Sequence, residues 1–548
     1  LEALCDALLG SHIPFDFGDE SVMEDAAAHV AEGMPEVRMG AGVYHAMVLP
    51  QLLTLRPATV ELLERFIRAG GRVFATAELP GVRDGLPQAL PEALQTGVRR
   101  IALDQLGHEL RSVGVGPAME TVEPELRPWV ISHVRQLPDG AWRLYVVNLN
   151  RCQSAIVRLA DGGEAVAHDL DDEALLPDAL ANEFVMAPGE DRLITWKASG
   201  ARSAAIASSR AASATDLGAP DRIERLDDNA LPLDMVRWRE AGRAWSSHPV
   251  YVLALWRRLK TLKYRGPLSV RYPLVVHDLA GDRRVRLVVE NAGRYTLSLN
   301  GTRLEWDGHS HWRDLRWHEM DIRHALKPGN NTVEIECADF DAATMDIDAA
   351  FVIGDFAVRG DVRPGPTPRG WMENGLPPPT LHHITAAGLG LAEPRALRFG
   401  DLVAQGLPFY AGRISMVYER RLEAGARLVA PAQDMAVNEI RAGGVSSWTW
   451  LPWQRGLLLE QAVDRVEVVA HGDLRNLLGP HHNPKGDLPT MPPPEFWPGL
   501  PAGWTAADAA LRWADGEIPP ACNWQPDYCV RAQRLGSLTM RQPRMRTP

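Results

Sequence analysis

The stretch Tyr295-Thr-Leu-Ser-Leu299-Asn300-Gly301-Thr302-Arg-Leu-Glu-Trp306 decides the fold class of the larger part of this chain. Apolar and polar residues alternate on both sides of Asn300-Gly301. That dipeptide is the usual signal for a two-residue type I′ turn, whose central residues both need positive φ. The segment therefore reads as a β-hairpin with arms 295–299 and 302–306. Residues 285–290 read as a further strand, and 321–326 as a short helix. The turn Lys327-Pro-Gly-Asn-Asn331 leads into a strand over 332–337, and 350–358 reads as one more strand.

Similar signals continue outward. After the Pro-rich connection 363–369, a second β-rich block runs to about residue 535, and 541–548 is polar and expected to fray. The two blocks share a weak internal likeness, with a strand near "NTVEIE" in one and "DRVEVVA" in the other. The sequence thus predicts two related β-sandwiches in tandem. Upstream, residues 198–220 are rich in Ala, Ser and Gly and read as a linker. Before it, Trp129–Arg135 and Trp142–Asn148 flank Leu-Pro-Asp-Gly as a hairpin. Further strands are expected at 154–159, 164–170 and 192–196, a small all-β module without a long helix.

The first 116 residues differ. Residues 1–9 read as a helix and 12–17 as a short strand. Ser21 is expected to cap the next helix, with Glu24 three residues on. Val43–Leu49 reads as a buried strand ended by Pro50. Pro57 opens a helix whose Val60, Leu63, Phe66 and Ile67 share one face; Gly70-Gly71 stops it, and 72–75 is a strand. Strands separated by helices imply a parallel sheet with helices on both faces. The expected fold class is multidomain, α/β plus all-β. The boundaries are 1–116 (α/β), 117–198 (small β-sandwich), 199–220 (linker), 221–362 (first jelly-roll β-sandwich) and 363–540 (second).

Composition narrows function. With 58 Lys and Arg against 70 Asp and Glu, the net charge is −12, which argues against a general nucleic-acid or anionic-membrane partner. Lys is rare beside Arg, a skew that fits codon bias in a GC-rich genome. The 548 residues suffice for several cores, so no disulfide or metal is required to hold a small fold. The five cysteines are scattered, and the Cys522-x6-Cys529 spacing is not that of a usual zinc site. No nucleophile elbow, Walker loop or HExxH occurs, and Gly40-Ala41-Gly42 lacks the rest of a dinucleotide fingerprint. No cofactor and no metal are expected. The chain opens on Leu1, inside a helical stretch, and reads as a fragment.

Six short runs, in order, resemble the sugar-binding portion of large glycoside hydrolases with family-2-type domains, including the α-L-rhamnosidase-like group. They are Asn229-Ala-Leu-Pro-Leu-Asp234 ("NALxLD"), Asn300-Gly301 ("VNG"), Lys327-Pro-Gly-Asn-Asn-Thr-Val333 ("LxxGxNxI"), Ile353-Gly-Asp-Phe-Ala-Val358 ("LLGDFxV"), Gln405-Gly-Leu-Pro-Phe-Tyr-Ala-Gly412 ("QGYPFYAG") and Leu474-Arg-Asn-Leu-Leu-Gly-Pro-His-His482 ("LRNLLGPHH"). The N-terminal part is similar to the flavodoxin-like domain that follows the catalytic barrel in such enzymes. The resemblance implies a flavodoxin-like α/β domain, a small β-sandwich and two galactose-binding-like β-sandwiches. It also implies a carbohydrate partner, a plant or microbial polysaccharide. It implies that this chain is the C-terminal accessory part of such an enzyme, and that a catalytic (β/α)8 barrel N-terminal to it in the parent chain would carry the acid/base carboxylates. A secreted or periplasmic parent is compatible with it. At Val437-Asn438-Glu439 the family pattern expects "VNG", and a turn there is less favourable without Gly.

Candidate site residues follow. Trp312, Trp317, Trp448, Trp450 and Trp453 offer flat aromatic faces suited to a pyranose ring, against the alternative of core or interface packing. Asp16 and Glu20 lie after the first expected strand, where open α/β sheets bind ligands. The alternative is a solvated turn that caps a helix. No catalytic residue is assigned within the chain. His309, His311, His318 and His324 lie close in sequence; a metal site would need convergent geometry and further oxygen or nitrogen partners, and the cluster reads as loop and surface histidines. His382-His383 and His481-His482 read alike, the latter with a structural role in a buried loop as an alternative. Asn300 and Asn330 open Asn-x-Thr sequons, and Asn300 is better explained by its turn. The leading expectation is the accessory region of a glycosidase. A free-standing carbohydrate-binding or scaffold protein is the alternative, and a complete enzyme built on the α/β domain the least favoured.

Overall fold

The structure is a computed structural model. It describes residues 1–25, 28–31, 34–40, 42–116, 119–159, 163–168, 178–180, 182–198, 214–368, 370–372, 375–430, 434–449, 456–483, 486 and 525–541. The chain divides into two compact units, Leu1–Arg210 and Ala211–Pro548.

In the first unit, strands Ala46–Leu49, Arg72–Ala75 and Val98–Arg100 form a parallel sheet in that order. Alternation along the middle strand sends side chains to both faces. Val73 and Ala75 join a core with Val60, Leu63 and Phe66 of helix Pro57–Arg68 and Leu94 of helix Glu92–Gly97. Phe74 joins the opposite core with Leu4 and Leu8 of helix Glu2–Gly10 and Leu106 and Leu110 of helix Leu103–Ser112. The expected layering of helices on both faces is present.

Three local expectations fail here. Residues 12–17 form no strand. His12 takes a left-handed φ of 58°, and Pro14 has no N–H to give to a ladder. Helix Glu20–Asp25 is capped by Asp19, not Ser21: the Asp19 carboxylate accepts the Ser21 N–H at 2.9 Å and the Val22 N–H at 3.2 Å. The run 43–49 is divided, with Gly42–Tyr44 paired antiparallel to Val37–Met39 and only Ala46–Leu49 entering the parallel sheet.

From Met119 on, the described residues of this unit form two packed antiparallel sheets. The Leu-Pro-Asp-Gly hairpin joins Val130–Gln136 to Trp142–Asn148, with Gln136 opposite Trp142. These strands continue through Asp191–Ala198, Gly163–His168 and Asp178–Leu180. Glu183–Met186, Ala155–Leu159 and Met119–Thr121 form the second sheet. Leu144, Val146 and Ile194 of one sheet share a core with Val157, Phe184 and Met186 of the other.

In the second unit, the opening hairpin is found as Thr296–Leu299 and Thr302–Leu304, with φ of 53° at Asn300 and 83° at Gly301. The Asn300 side chain donates to the Ala325 carbonyl at 3.0 Å and accepts the Thr332 N–H at 3.1 Å. This ties the turn to the Lys327 loop. One sheet runs Asn229–Leu233, Ala350–Gly354, Val285–Glu290, Trp317–Asp321. It packs on a larger sheet built around Arg265–Asp278 and Gly329–Asp341. The expected helix at 321–326 is a single 3-10 turn, Arg323–Ala325. The expected strand 350–358 is broken after Gly354, where buried Phe356 turns into the core and Asp355 pairs with Arg225 and Arg283.

A second sandwich stacks a five-stranded sheet, in the order Arg222–Arg225, Arg413–Tyr418, Val466–His471, Val437–Ala442, Val445–Thr449, on a four-stranded one. Val437-Asn438-Glu439 makes no turn but lies inside a strand. The chain reverses instead at Gly443-Gly444, with φ of 57° and 83°. Two exchanges tie the sandwiches together. Arg222–Arg225 precedes the first sandwich yet pairs in the second, and Gly390–Ala392 adds a parallel strand to Arg265–Asp278 of the first. Of the expected linker, 199–213 lies outside the described residues, and Ala214–Asp216 pairs with Thr539–Arg541. Of the expected frayed end, 542–548 lies outside them as well.

Candidate functional site

Four of the six family-like runs meet in the second unit. Asn229 is fully buried and donates to the carbonyls of Phe356 and Gly406, both at 3.0 Å. Five residues on, the Asp234 carboxylate accepts the Tyr528 hydroxyl at 2.6 Å and faces Nε2 of His482 at 3.1 Å. Burial raises the Asp234 pKa, but His482, His481 and Tyr528 outweigh it and hold the carboxyl below its usual range. His481 bonds through Nε2 to the Asn476 carbonyl at 2.8 Å, and burial lowers its pKa to about 3. Phe409 packs edge-on against both His481 and Tyr528. With Asp234, His481 and His482 all buried, this network fastens the 481–482 loop and strand Tyr528–Arg531 to the first sandwich, whose core also takes in Phe409 and Tyr528. The two histidines stand out in the sequence as a pair. Tyr528, 294 residues from Asp234, carries no local signal.

The aromatic candidates separate. Trp312 and Trp317 stack at 5.7 Å between centroids, and Phe351 lies 5.9 and 5.1 Å from them. They pack over Ala230, Val288, Phe351 and Ile353, the outward residues of the four-stranded sheet. Trp448 differs. It is 47% exposed on the strand Val445–Thr449, opposite Glu439, with its ring 5.2 Å from that of His471. Arg441, two residues along the neighbouring strand, donates to Glu439 at 2.6 Å. The Arg441 bond holds the Glu439 carboxyl below its usual pKa. An indole face beside fixed guanidinium and carboxylate groups can stack on a sugar ring and meet its hydroxyls. Trp450 and Trp453 lie outside the described residues.

The two acidic candidates have different partners. Asp16 accepts the Tyr44 hydroxyl at 2.9 Å. Glu20 accepts the Arg56 N–H at 2.8 Å, at the start of helix Pro57–Arg68. Of the clustered histidines, His309 is exposed, but His318 is no loop residue: it lies half-buried on strand Trp317–Asp321 and stacks on Trp306 at 3.5 Å. Among the described residues, no group of three or more His, Cys, Asp and Glu side chains is placed to hold a metal ion. No helix among them is long and apolar enough to cross a membrane.

No protein-family model matches the chain, and no curated protein matches it. Its structural neighbours are glycoside hydrolases. An exo-carrageenase GH42 from Bacteroides ovatus is 14% identical over 36% of this chain and 26% of its own, with a TM-score of 0.27. A rhamnosidase from Novosphingobium sp. PP1Y is 13% identical over 60% of this chain and 35% of its own, at 0.25. A β-galactosidase from Bacillus circulans sp. alkalophilus is 16% identical over 36% of this chain and 37% of its own, at 0.25. The matched part is about a quarter to about a third of each enzyme's length.

Proposed function

We propose that this chain is the accessory region of a larger glycoside hydrolase. Its two galactose-binding-like sandwiches contact carbohydrate and, with the flavodoxin-like α/β domain, support a catalytic barrel. The observation that carries this reading is the convergence of the family-like runs. Asn229 binds the Phe356 and Gly406 carbonyls, and Asp234, Phe409, His481 and His482, from three separate runs of the sequence, meet in a buried network. Trp448 is the carbohydrate contact this reading favours, because its face is exposed and its neighbours are polar.

A glycan array tests the binding half. Retention of a neutral oligosaccharide by the full chain, lost in Trp448→Ala, is the expected result; no retention of any glycan overturns it. An aryl-glycoside assay tests the non-catalytic half. Turnover by the chain alone, abolished by Asp16→Asn or Glu20→Gln, overturns it.

A further inference from the structure

In the small sandwich of the first unit, strands Val130–Gln136, Trp142–Asn148 and Asp191–Ala198 lie side by side. Val134, Leu144, Val146, Ile194 and Trp196 face the core, so the alternate residues make up the outer face. There Arg135 stands directly opposite Arg143, which in turn stands opposite Thr195, and His133 stands directly opposite Tyr145. Arg135, Arg143 and His133 are exposed, and Tyr145 is 38% exposed. Side chains directly opposite on one face have their Cβ atoms about 5 Å apart, and two like charges so placed destabilise the pair. Among the described residues, neither guanidinium has an ion-pair or hydrogen-bond partner. Lys197, two residues beyond Thr195 on the same face, lies 3.6 Å from Asp139. Tyr145 is held in place, since its hydroxyl donates to Asp191 at 2.8 Å.

We propose that this sheet face binds an acidic polysaccharide, with the Tyr145 ring stacked on a sugar and a carboxylate or sulfate of the chain bridging Arg135 and Arg143. An oxyanion shared by the two guanidinium groups replaces their repulsion with charge-assisted hydrogen bonds. A phenol ring with polar neighbours suits the face of a sugar. Arg143 and Tyr145 are two residues apart on one strand, about 7 Å, which is the reach from a stacked ring to an acid group on the same or the next sugar. The patch is cationic in a chain of net charge −12, so the attraction is local to this face. An open sheet face suits an extended chain, whereas small molecules are held in concave pockets. The anion follows from the unpaired arginines. That a sugar carries it rests on the carbohydrate reading above.

Affinity electrophoresis of the full chain through gels holding polygalacturonate, a sulfated galactan, a neutral galactan or poly-L-glutamate tests this. One or both acidic polysaccharides are expected to bind at least tenfold more tightly than the neutral galactan and poly-L-glutamate. Arg143→Glu and Arg135→Glu each set opposite charges face to face. Each is expected to weaken that binding at least tenfold without lowering the urea unfolding midpoint. Tyr145→Ala is expected to weaken it at least threefold, and Trp448→Ala to leave it unchanged. Failure of both acidic polysaccharides to bind, equal binding of poly-L-glutamate, binding untouched by the glutamate variants or by Tyr145→Ala, or its loss in Trp448→Ala overturns the proposal. Neutral-glycan retention through Trp448 is read on a different residue in the other unit, so either idea can fail without the other.

Discussion

Asp234 is a carboxylate almost without solvent, and its place depends on two partners far along the chain. Removing one member of such a buried set leaves the others desolvated. Asp234→Ala is expected to destabilise the second unit by about 3–5 kcal/mol, and Tyr528→Phe by about 1–3 kcal/mol. Urea unfolding of the full chain checks both; an unchanged midpoint in either variant refutes the corresponding value. His12 makes a pH prediction in the first unit. Its ring is buried between Ser132 Oγ at 3.0 Å and Thr121 Oγ1 at 3.1 Å. Burial, with Arg111 and Arg127 nearby, lowers its pKa to about 4. Folding therefore favours neutral His12. Its contribution is fully present above about pH 6.5 and is lost as pH falls toward 4, amounting to about 3 kcal/mol. The difference in unfolding midpoint between wild type and His12→Gln, followed from about pH 7.5 to about pH 4.5, is expected to change across that window. A constant difference refutes the prediction.

At the scale of elements, turns were legible where their chemistry is local. Asn300-Gly301 sits at the reversal it predicts, because both φ values are positive and few residues accept them. Gly301→Val is expected to cost about 1–2 kcal/mol in the same unfolding assay, from the left-handed backbone; no loss would show that the turn relaxes. Family likeness placed the second hairpin at Val437-Asn438-Glu439, while the glycine pair six residues further on holds the turn. Helix Pro57–Arg68 was legible from its period and its Pro, but 12–17 is not a strand, since apolar character alone does not supply a pairing partner. The same limit applies to the site. Two histidines in a motif could be noticed, yet their carboxylate and hydroxyl partners are long-range contacts that no window of sequence displays.

At the scale of the whole molecule, the chain is two compact units, and residues 199–213 contain the break between them. Cutting the polypeptide between residues 198 and 214 is expected to give two pieces that each unfold cooperatively; aggregation or non-cooperative melting of either refutes independence. Within the second unit, Thr539–Arg541 lies between Ala214–Asp216 and Arg427–Val429, so a late segment of the chain supplies an inner strand. During synthesis that place stays empty until residue 541 has left the ribosome. Until then, strands on both sides expose unpaired backbone groups to any neighbouring chain. The second unit is thus open to misassembly until residue 541 has emerged, and truncation before Thr539 would make that exposure permanent.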